Sequence, residues 1–447
     1  MFKIILIFFL IEKLFSYDQV TFEVYKQSLS ITNCKKCIPY RFKFTSDKNM
    51  SVSIPCLYDS SGIKIDNNLN TSFAIFESEE NNIASFSKHH DLHSVMGYTI
   101  DLNDNYYILD QGKIFMDNNT VEKNTSKLVI AKLHDDKNKR EIYFGEIDLK
   151  NSLLTDIVLS HDEKYAYITD SGNFKSENPT PRLIVVNLND SKIYTILNNH
   201  SSFQPDPKFD LTKSKIGNEI YDYFIEAVGV NNIQISCDDE TIYYSSLKSG
   251  NIYSVSTKDI LNAIKNYEDS KNIKDLNDIN VNSVNKNFFS ENFIITSKNN
   301  FFAINHDSNR IDISYNIKED LSSYKNDQNI NIKYDNNNFR PPFSLEIHEN
   351  ILYLLGNNIG SGDASNDFKI YKAELKKDEF NNNIGCTVFI FKVYGGVIFV
   401  FVWFFLILCI TIVLIIVNSG QKLEKINLKK EIEKEEDINA LNRELNE

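Results

Sequence analysis

The sequence predicts an all-β fold, a six-bladed β-propeller ectodomain with one C-terminal transmembrane helix, and three observations predict it. Strand-like runs bounded by Asn, Asp, Ser and Gly turns fill residues 38–375, where helical periodicity is scarce. A two-strand pattern recurs six times at a spacing of roughly 50–70 residues. Near the C-terminus stands one stretch of 25 uncharged residues, Val393 to Val417, and about 20 apolar residues suffice to cross a hydrocarbon core.

Composition narrows the classes first. The 447 residues carry a net charge of −13, the opposite of the basic footprint that nucleic-acid binding needs. Only 15 glycines and 8 prolines exclude collagen-like and Gly-rich linker architectures. Apolar residues at 42% and aromatics at 12% supply a large core, so the abundant Asn and Lys do not make a disordered chain. A mean hydropathy of −0.32 excludes a multi-span membrane protein.

The chain opens on a segment with the form of a secretory signal peptide over residues 1–16: Lys3 in a basic head, the apolar run Ile4 to Ile11, and Ser16 as the small residue at cleavage. Residues 17–385 then form the propeller domain, residues 393–417 the membrane span and residues 418–447 a charged tail. The signal peptide sets the orientation, type I, with the propeller luminal or extracellular and the tail cytosolic. Lys3, Lys13 and Glu12 give the signal segment +1, and six Lys/Arg against eight Asp/Glu give the tail −2, so residues 17–392 hold −12 of the charge. The tail has helical spacing at Ile438, Leu441 and Leu445, too short for a sustained coiled coil.

The repeat consists of an alternating apolar strand, a polar turn and a second strand with an aromatic near its middle. Its copies are Tyr40–Phe44 with Met50–Ile54, Val95–Ile100 with Tyr106–Asp110, Thr155–Ser160 with Tyr165–Asp170, Asn231–Ser236 with Thr241–Ser245, Asn292–Thr296 with Phe301–Ile304, and Phe343–Ile347 with Ile351–Leu355. A propeller fits this, because each four-stranded blade buries its faces only against its neighbours. Ser126–Leu133 and Arg182–Leu188 read as outer strands, and the polar insertions Asn266–Ser290 and Asn316–Asn338 as loops.

Several blocks resemble the major royal jelly protein/Yellow family. They are Leu153-Leu154-Thr155-Asp156 followed by Tyr165 to Gly172, Tyr107 to Gly112, His200 to Pro207, and Tyr243 to Leu247 with Tyr253-Ser254-Val255. The resemblance implies a six-bladed propeller, mostly secreted in that family, whose members include binders of small amines in the central channel, proteins linked to dopachrome conversion, and nutritive or signalling proteins. This chain departs from the pattern in its membrane anchor, in lacking the Cys some members carry before the Asp-x-Gly strand, and in placing His161 where the turn usually has Pro.

Strand starts converge on a propeller's axis, which brings Tyr40, Arg41, Asp156, Asn231, Asn232, Asn292 and Ser344, with His93 or Ser94, toward one channel mouth. Asp156 would suit a cationic amine as counter-ion. The expected function is binding of such a small ligand, or of a partner protein. The alternatives are an enzyme of dopachrome-conversion or metal-dependent lactone-hydrolysis type, in which Asp156 and the asparagines would hold a divalent cation, and a structural surface protein. Arg41 argues against a bound cation, so no cofactor and no catalytic residue is assigned. His89, His90 and His93 read as a solvated cluster, and Gly360 to Asp367 as a polar turn.

Among the cysteines, one disulfide within Cys34, Cys37 and Cys56 is expected, with a redox or metal half-site at Cys34 and Cys37 as the alternative. Sequons stand at Asn49, Asn70, Asn118, Asn124, Asn189 and Asn199. The expected setting is the plasma membrane or a secretory-pathway membrane.

Overall fold

The computed structural model describes residues 23–27, 40–55, pieces of 73–374 and pieces of 405–434. The described strands form six four-stranded antiparallel sheets. In the first, β2 (Arg41–Phe44), β3 (Met50–Ser53), β4 (Phe73–Glu77) and β5 (Asn82–Ser85) pair in chain order. The second is β6 (Val95–Ile100), β7 (Asn105–Asp110), β8 (Lys127–Lys132) and β9 (Asp135–Tyr143). The third is β10 (Leu154–Leu159), β11 (Tyr165–Asp170), β12 (Arg182–Asn187) and β13 (Ile193–Ile196). The fourth holds β14 (Val230–Ile235), β15 (Thr241–Ser246), β16 (Asn251–Ser256) and β17 (Val281–Lys286). In the fifth are β18 (Phe293–Ile295), β19 (Phe301–Asn305), β20 (Arg310–Ser314) and β21 (Gln328–Asn331). The last combines β22 (Pro342–His348), β23 (Ile351–Asn357) and β24 (Phe368–Glu374) with β1 (Glu23–Gln27), so the earliest described strand closes the final sheet.

Two features make this a β-propeller. The first strands touch in a closed cycle, β2 with β6, β6 with β10, β10 with β14, β14 with β18, β18 with β22, and β22 with β2. An apolar core lies between each neighbouring pair of sheets. Strand alternation explains the division: in β11, Ala166 and Ile168 enter the core shared with the second sheet, while Tyr167 enters the core shared with the fourth. Fully buried Tyr98, Tyr106, Tyr167, Tyr244, Phe73 and Phe203 fill these wedges, each aromatic contributing on the order of 2–3 kcal/mol.

All six expected strand pairs form, and the outer strands expected over Ser126–Leu133 and Arg182–Leu188 correspond to β8 and β12. The two segments expected as loops are more ordered than the sequence suggested. Asn266–Ser290 holds the end of helix α1 (Thr257–Ser270), a 3-10 turn at Ile273–Leu276 and β17, and Asn316–Asn338 holds β21. Helix α1 starts where the Ser256 side chain accepts a bond from the Asp259 N–H, and stops at Lys271, whose φ is 57°. Its buried Ile260, Ala263 and Ile264 follow a helical spacing that surrounding Asn and Lys obscure. The helix and 3-10 turn cover edge strand β13: Tyr194 Oη donates to Glu268 at 2.6 Å, and the Leu197 N–H bonds the Leu276 carbonyl at 3.3 Å.

The chain divides into two compact units, residues 1–386 and 387–447. In the second, the described residues from Phe405 to Lys434 are helical, and Phe405, Leu406, Ile407, Leu408, Ile410 and Ile412 are all exposed. Among the described residues no helix is long and apolar enough to cross a membrane; much of the expected span, 393–404 and 413–416, lies outside them. Also outside them are the signal segment 1–16, Cys34, Cys37, Cys56, Asn70, Asn118, Asn124, His89, His90, His93, the Gly360–Asp367 turn, and Ile438, Leu441 and Leu445.

Candidate functional site

The first strands do not run smoothly to the axis. Pairing skips a residue between Leu154 and Asp156 in β10, between Val230 and Asn232 in β14, and between Pro342 and Ser344 in β22. A bulge re-aims the side chains around it, and here the bulges fall at Thr155, Asn231 and Phe343. In β6 the irregularity spans Val95 to Tyr98. Period-2 reading of the sequence assigns the wrong face to residues before a bulge, which is why strand alternation alone does not locate the site.

Five of the seven expected residues are joined in one buried network drawn from the first, third and fourth sheets. Tyr40 Oη donates to Asn231 Oδ1, 191 positions away in the chain. Arg41 Nη2 donates to the Asn231 carbonyl at 2.9 Å and lies 3.7 Å from Asp156 Oδ2. Asp156 Oδ2 also accepts from Asn232 Nδ2 at 3.2 Å and from the Ile233 N–H at 3.4 Å, and Asp156 Oδ1 from its neighbour Ile157 N–H at 3.0 Å. The Arg41 guanidinium carbon lies 4.8 Å from the Tyr40 ring centre, a cation–π distance. Asn292 and Ser344 are buried at matching starts of the fifth and sixth sheets, but are not among the residues that these bonds join. Ser94 is buried too; its backbone N–H bonds Asp110.

Charge at the site is internally balanced. Burial holds the Asp156 carboxyl above the usual carboxylate range, with Arg41, Lys43 and two backbone N–H groups opposing that rise without cancelling it. Asp156 therefore meets a counter-ion from its own chain, and an added cation there would face the guanidinium. Among the described residues no three or more His, Cys, Asp or Glu side chains gather as a metal site.

Sequence reasoning overlooked the residues that hold this arrangement. Gly97 is one: a Cβ there would lie 2.6 Å from Asp156 Cα and 2.7 Å from the Thr155 carbonyl, so only glycine lets β6 approach the β10 bulge. Gln111 acts as a short strand of its own, its Nε2 donating to the Leu154 carbonyl and its Oε1 accepting from the Leu154 N–H at 3.1 Å. Thr155 Oγ1 donates to the Val230 carbonyl at 2.9 Å, tying the two bulges together. Gln111 sits inside the Asp-Gln-Gly block, which was a usable signal; nothing in the sequence marks Gly97.

The Asp-x-Gly blocks themselves are structural. Asp110 Oδ1 accepts from the Ser94 and Gly112 N–H groups at 3.1 and 3.0 Å, and Asp170 Oδ1 from Leu153 and Gly172 at 2.8 and 3.0 Å. Each carboxylate thereby ties the end of a second strand to the start of the first, and both glycines have positive φ, +64° and +70°. The turn Ser160–Lys164 is closed by Ser160 and Asp162, as Ser236 and Asp238 close the matching turn of the fourth sheet. His161 explains its departure from Pro: its N–H donates to Asp239 Oδ1 of that next turn at 3.2 Å, a bond Pro could not make.

Cys237, outside the expected trio, is disulfide-bonded, and its partner lies outside the described residues. Of the sequons, Asn189 and Asn199 are exposed on turns flanking β13, while Asn49 is half-buried.

The family model described as major royal jelly protein matches residues 93–384. No curated protein matches the chain. Solved structures are similar at low identity. A luciferin-regenerating enzyme is 9% identical with a TM-score of 0.45, covering 77% of this chain and 94% of that one. A gluconolactonase-type protein is 7% identical with a TM-score of 0.45, covering 80% and 93%. The virginiamycin B lyase of Staphylococcus aureus is 12% identical with a TM-score of 0.41, covering 79% and 100%.

Proposed function

Because the chain belongs to the major royal jelly protein family, we propose that its six sheets are the blades of one six-bladed ring, tethered by a single C-terminal span on the luminal or extracellular side of a membrane, and that the ring's centre binds a small ligand. The closed cycle of first-strand contacts supports the ring. The Cys237 disulfide supports an oxidising compartment. The exposed apolar side chains of the described helical residues Phe405, Leu406, Ile407, Leu408, Ile410 and Ile412 support the span, since a helix apolar all round needs protein or lipid about it.

The observation that carries the ligand reading is the convergence of Tyr40, Arg41, Asp156, Asn231 and Asn232 from three sheets. Polar groups gathered from separate elements are what orient a ligand in a concave site. Their burial, 4% exposure for Arg41 and 1% for Asn232, favours a small molecule over a partner protein, whose surface could not reach them. The test is a thermal-shift screen of the full chain in detergent against small molecules and divalent ions, run in parallel on Arg41→Met. Shifts seen in the native chain and lost in the variant support the reading; shifts equal in both, or none at all, refute it.

A further inference from the structure

Two polar atoms in the central network have no hydrogen-bond partner among the described residues: Arg41 Nε, a donor, and Asn232 Oδ1, an acceptor. Both residues are more than nine-tenths buried, where an unmade bond is costly. Their placement is not arbitrary. Arg41 and Asn232 both address Asp156 Oδ2, through Nη2 at 3.7 Å and Nδ2 at 3.2 Å. Because that carboxylate accepts from the Asn232 amide nitrogen, it fixes which way the amide is turned and leaves its oxygen facing away.

Resting on the channel reading, we propose that the ligand is neutral and carries a hydrogen-bond acceptor beside a donor, as a primary carboxamide does. The carboxamide oxygen accepts from Arg41 Nε–H, and its NH2 donates to Asn232 Oδ1. A cation satisfies Asn232 alone and meets the Arg41 guanidinium. An anion satisfies Arg41 alone and meets the oxygens of Asn232 and Asp156. Only the neutral head matches both open groups in a site whose carboxylate and guanidinium already face each other, which separates this ligand class from the cationic amine suggested by Asp156 in isolation.

Three probes sharing one ring isolate the head group: benzamide, benzamidine and benzoate, titrated into the full detergent-solubilised chain by ligand-observed NMR. Benzamide is expected to bind about tenfold more tightly than either ion, the size of effect when a rival leaves a buried group unmatched. Arg41→Met, which removes the donor and frees Asp156, is expected to weaken benzamide by about tenfold and to turn the preference toward benzamidine. If that variant does not fold, Asn232→Ser is expected to weaken benzamide alone. Benzamidine or benzoate binding more tightly to the native chain overturns the proposal while the channel reading stands. If none of the three competes with a compound that shifts the native chain but not Arg41→Met, the proposal falls and the channel reading again survives. No such compound and no probe binding sinks both.

Discussion

Replacing Asp156 with Asn removes the charge and one of its two acceptor oxygens. The Ile157 N–H bond to Oδ1 can remain, but an amide NH2 at the Oδ2 position cannot accept from the Ile233 N–H, so a double-mutant cycle isolates the buried ion pair. At 3.7 Å and an effective dielectric of about 20, two unit charges attract by about 4.5 kcal/mol. Arg41 and Asp156 side chains are 5% and 7% exposed, so solvent relieves little of the charge left behind. Breaking one side of a buried pair costs about 3–5 kcal/mol; losing the acceptor for the Ile233 N–H as well places Asp156→Asn toward the upper end of that range. Removing both charges in Arg41→Met/Asp156→Asn should recover much of that loss, since apolar replacement of a buried pair is often near neutral. Urea unfolding of the full chain, followed by the near-ultraviolet circular dichroism of the buried tyrosines, gives the four stabilities of the cycle. A coupling of about 2 kcal/mol is expected. An Asp156→Asn cost below about 0.5 kcal/mol, or a coupling near zero, refutes the pairing.

Gly97→Ala should destabilise the chain by about 1–3 kcal/mol, because its methyl meets backbone rather than a yielding side chain; an unchanged urea midpoint contradicts the close approach of β6 to Asp156. Asp239 tests pH dependence. Burial carries its carboxyl up to about 6, above the unfolded value of about 3.9, so the folded state binds its proton first. Its penalty is present above pH 6 and fades as pH falls toward 4. Asp239→Asn, which tolerates the positive φ of 63°, should then be more stable than the native chain by about 2 kcal/mol at pH 7.5. The gap should close near pH 4, and a gap independent of pH removes the buried-carboxyl account. Expression through a secretory pathway should glycosylate exposed Asn189 and Asn199, each Asn→Gln change removing one endoglycosidase-sensitive mass step; mobility unchanged for both counts against luminal placement.

The strand pairs were legible because each blade's first two strands are short, aromatic and separated by turns such as Ser160–Lys164, where Ser and Asp close the bend. The β17 and β21 strands were not, since VNSVNK and QNIN carry too few apolar residues to show alternation. Helix α1 hid for the same reason, its buried face being only Thr257, Ile260, Ala263 and Ile264. At the site, residue types and strand starts brought Tyr40, Arg41, Asp156, Asn231 and Asn232 to one place. The sequence alone could not show that Arg41 would neutralise Asp156. That pairing depends on the bulges at Thr155 and Asn231, which turn residues from the third and fourth sheets toward the first. Bulges leave no composition signal, and the glycine that accommodates one of them stands in a different sheet.

The central claim is that a small molecule is held where the first, third and fourth sheets meet. A cryo-electron microscopy or crystal structure of the full chain with its strongest thermal-shift ligand tests it most directly. Ligand density within hydrogen-bond reach of Arg41 Nε and Asn232 Oδ1 is the predicted result. Density on an outer face, with Arg41 and Asn232 bonded only to protein, would contradict it.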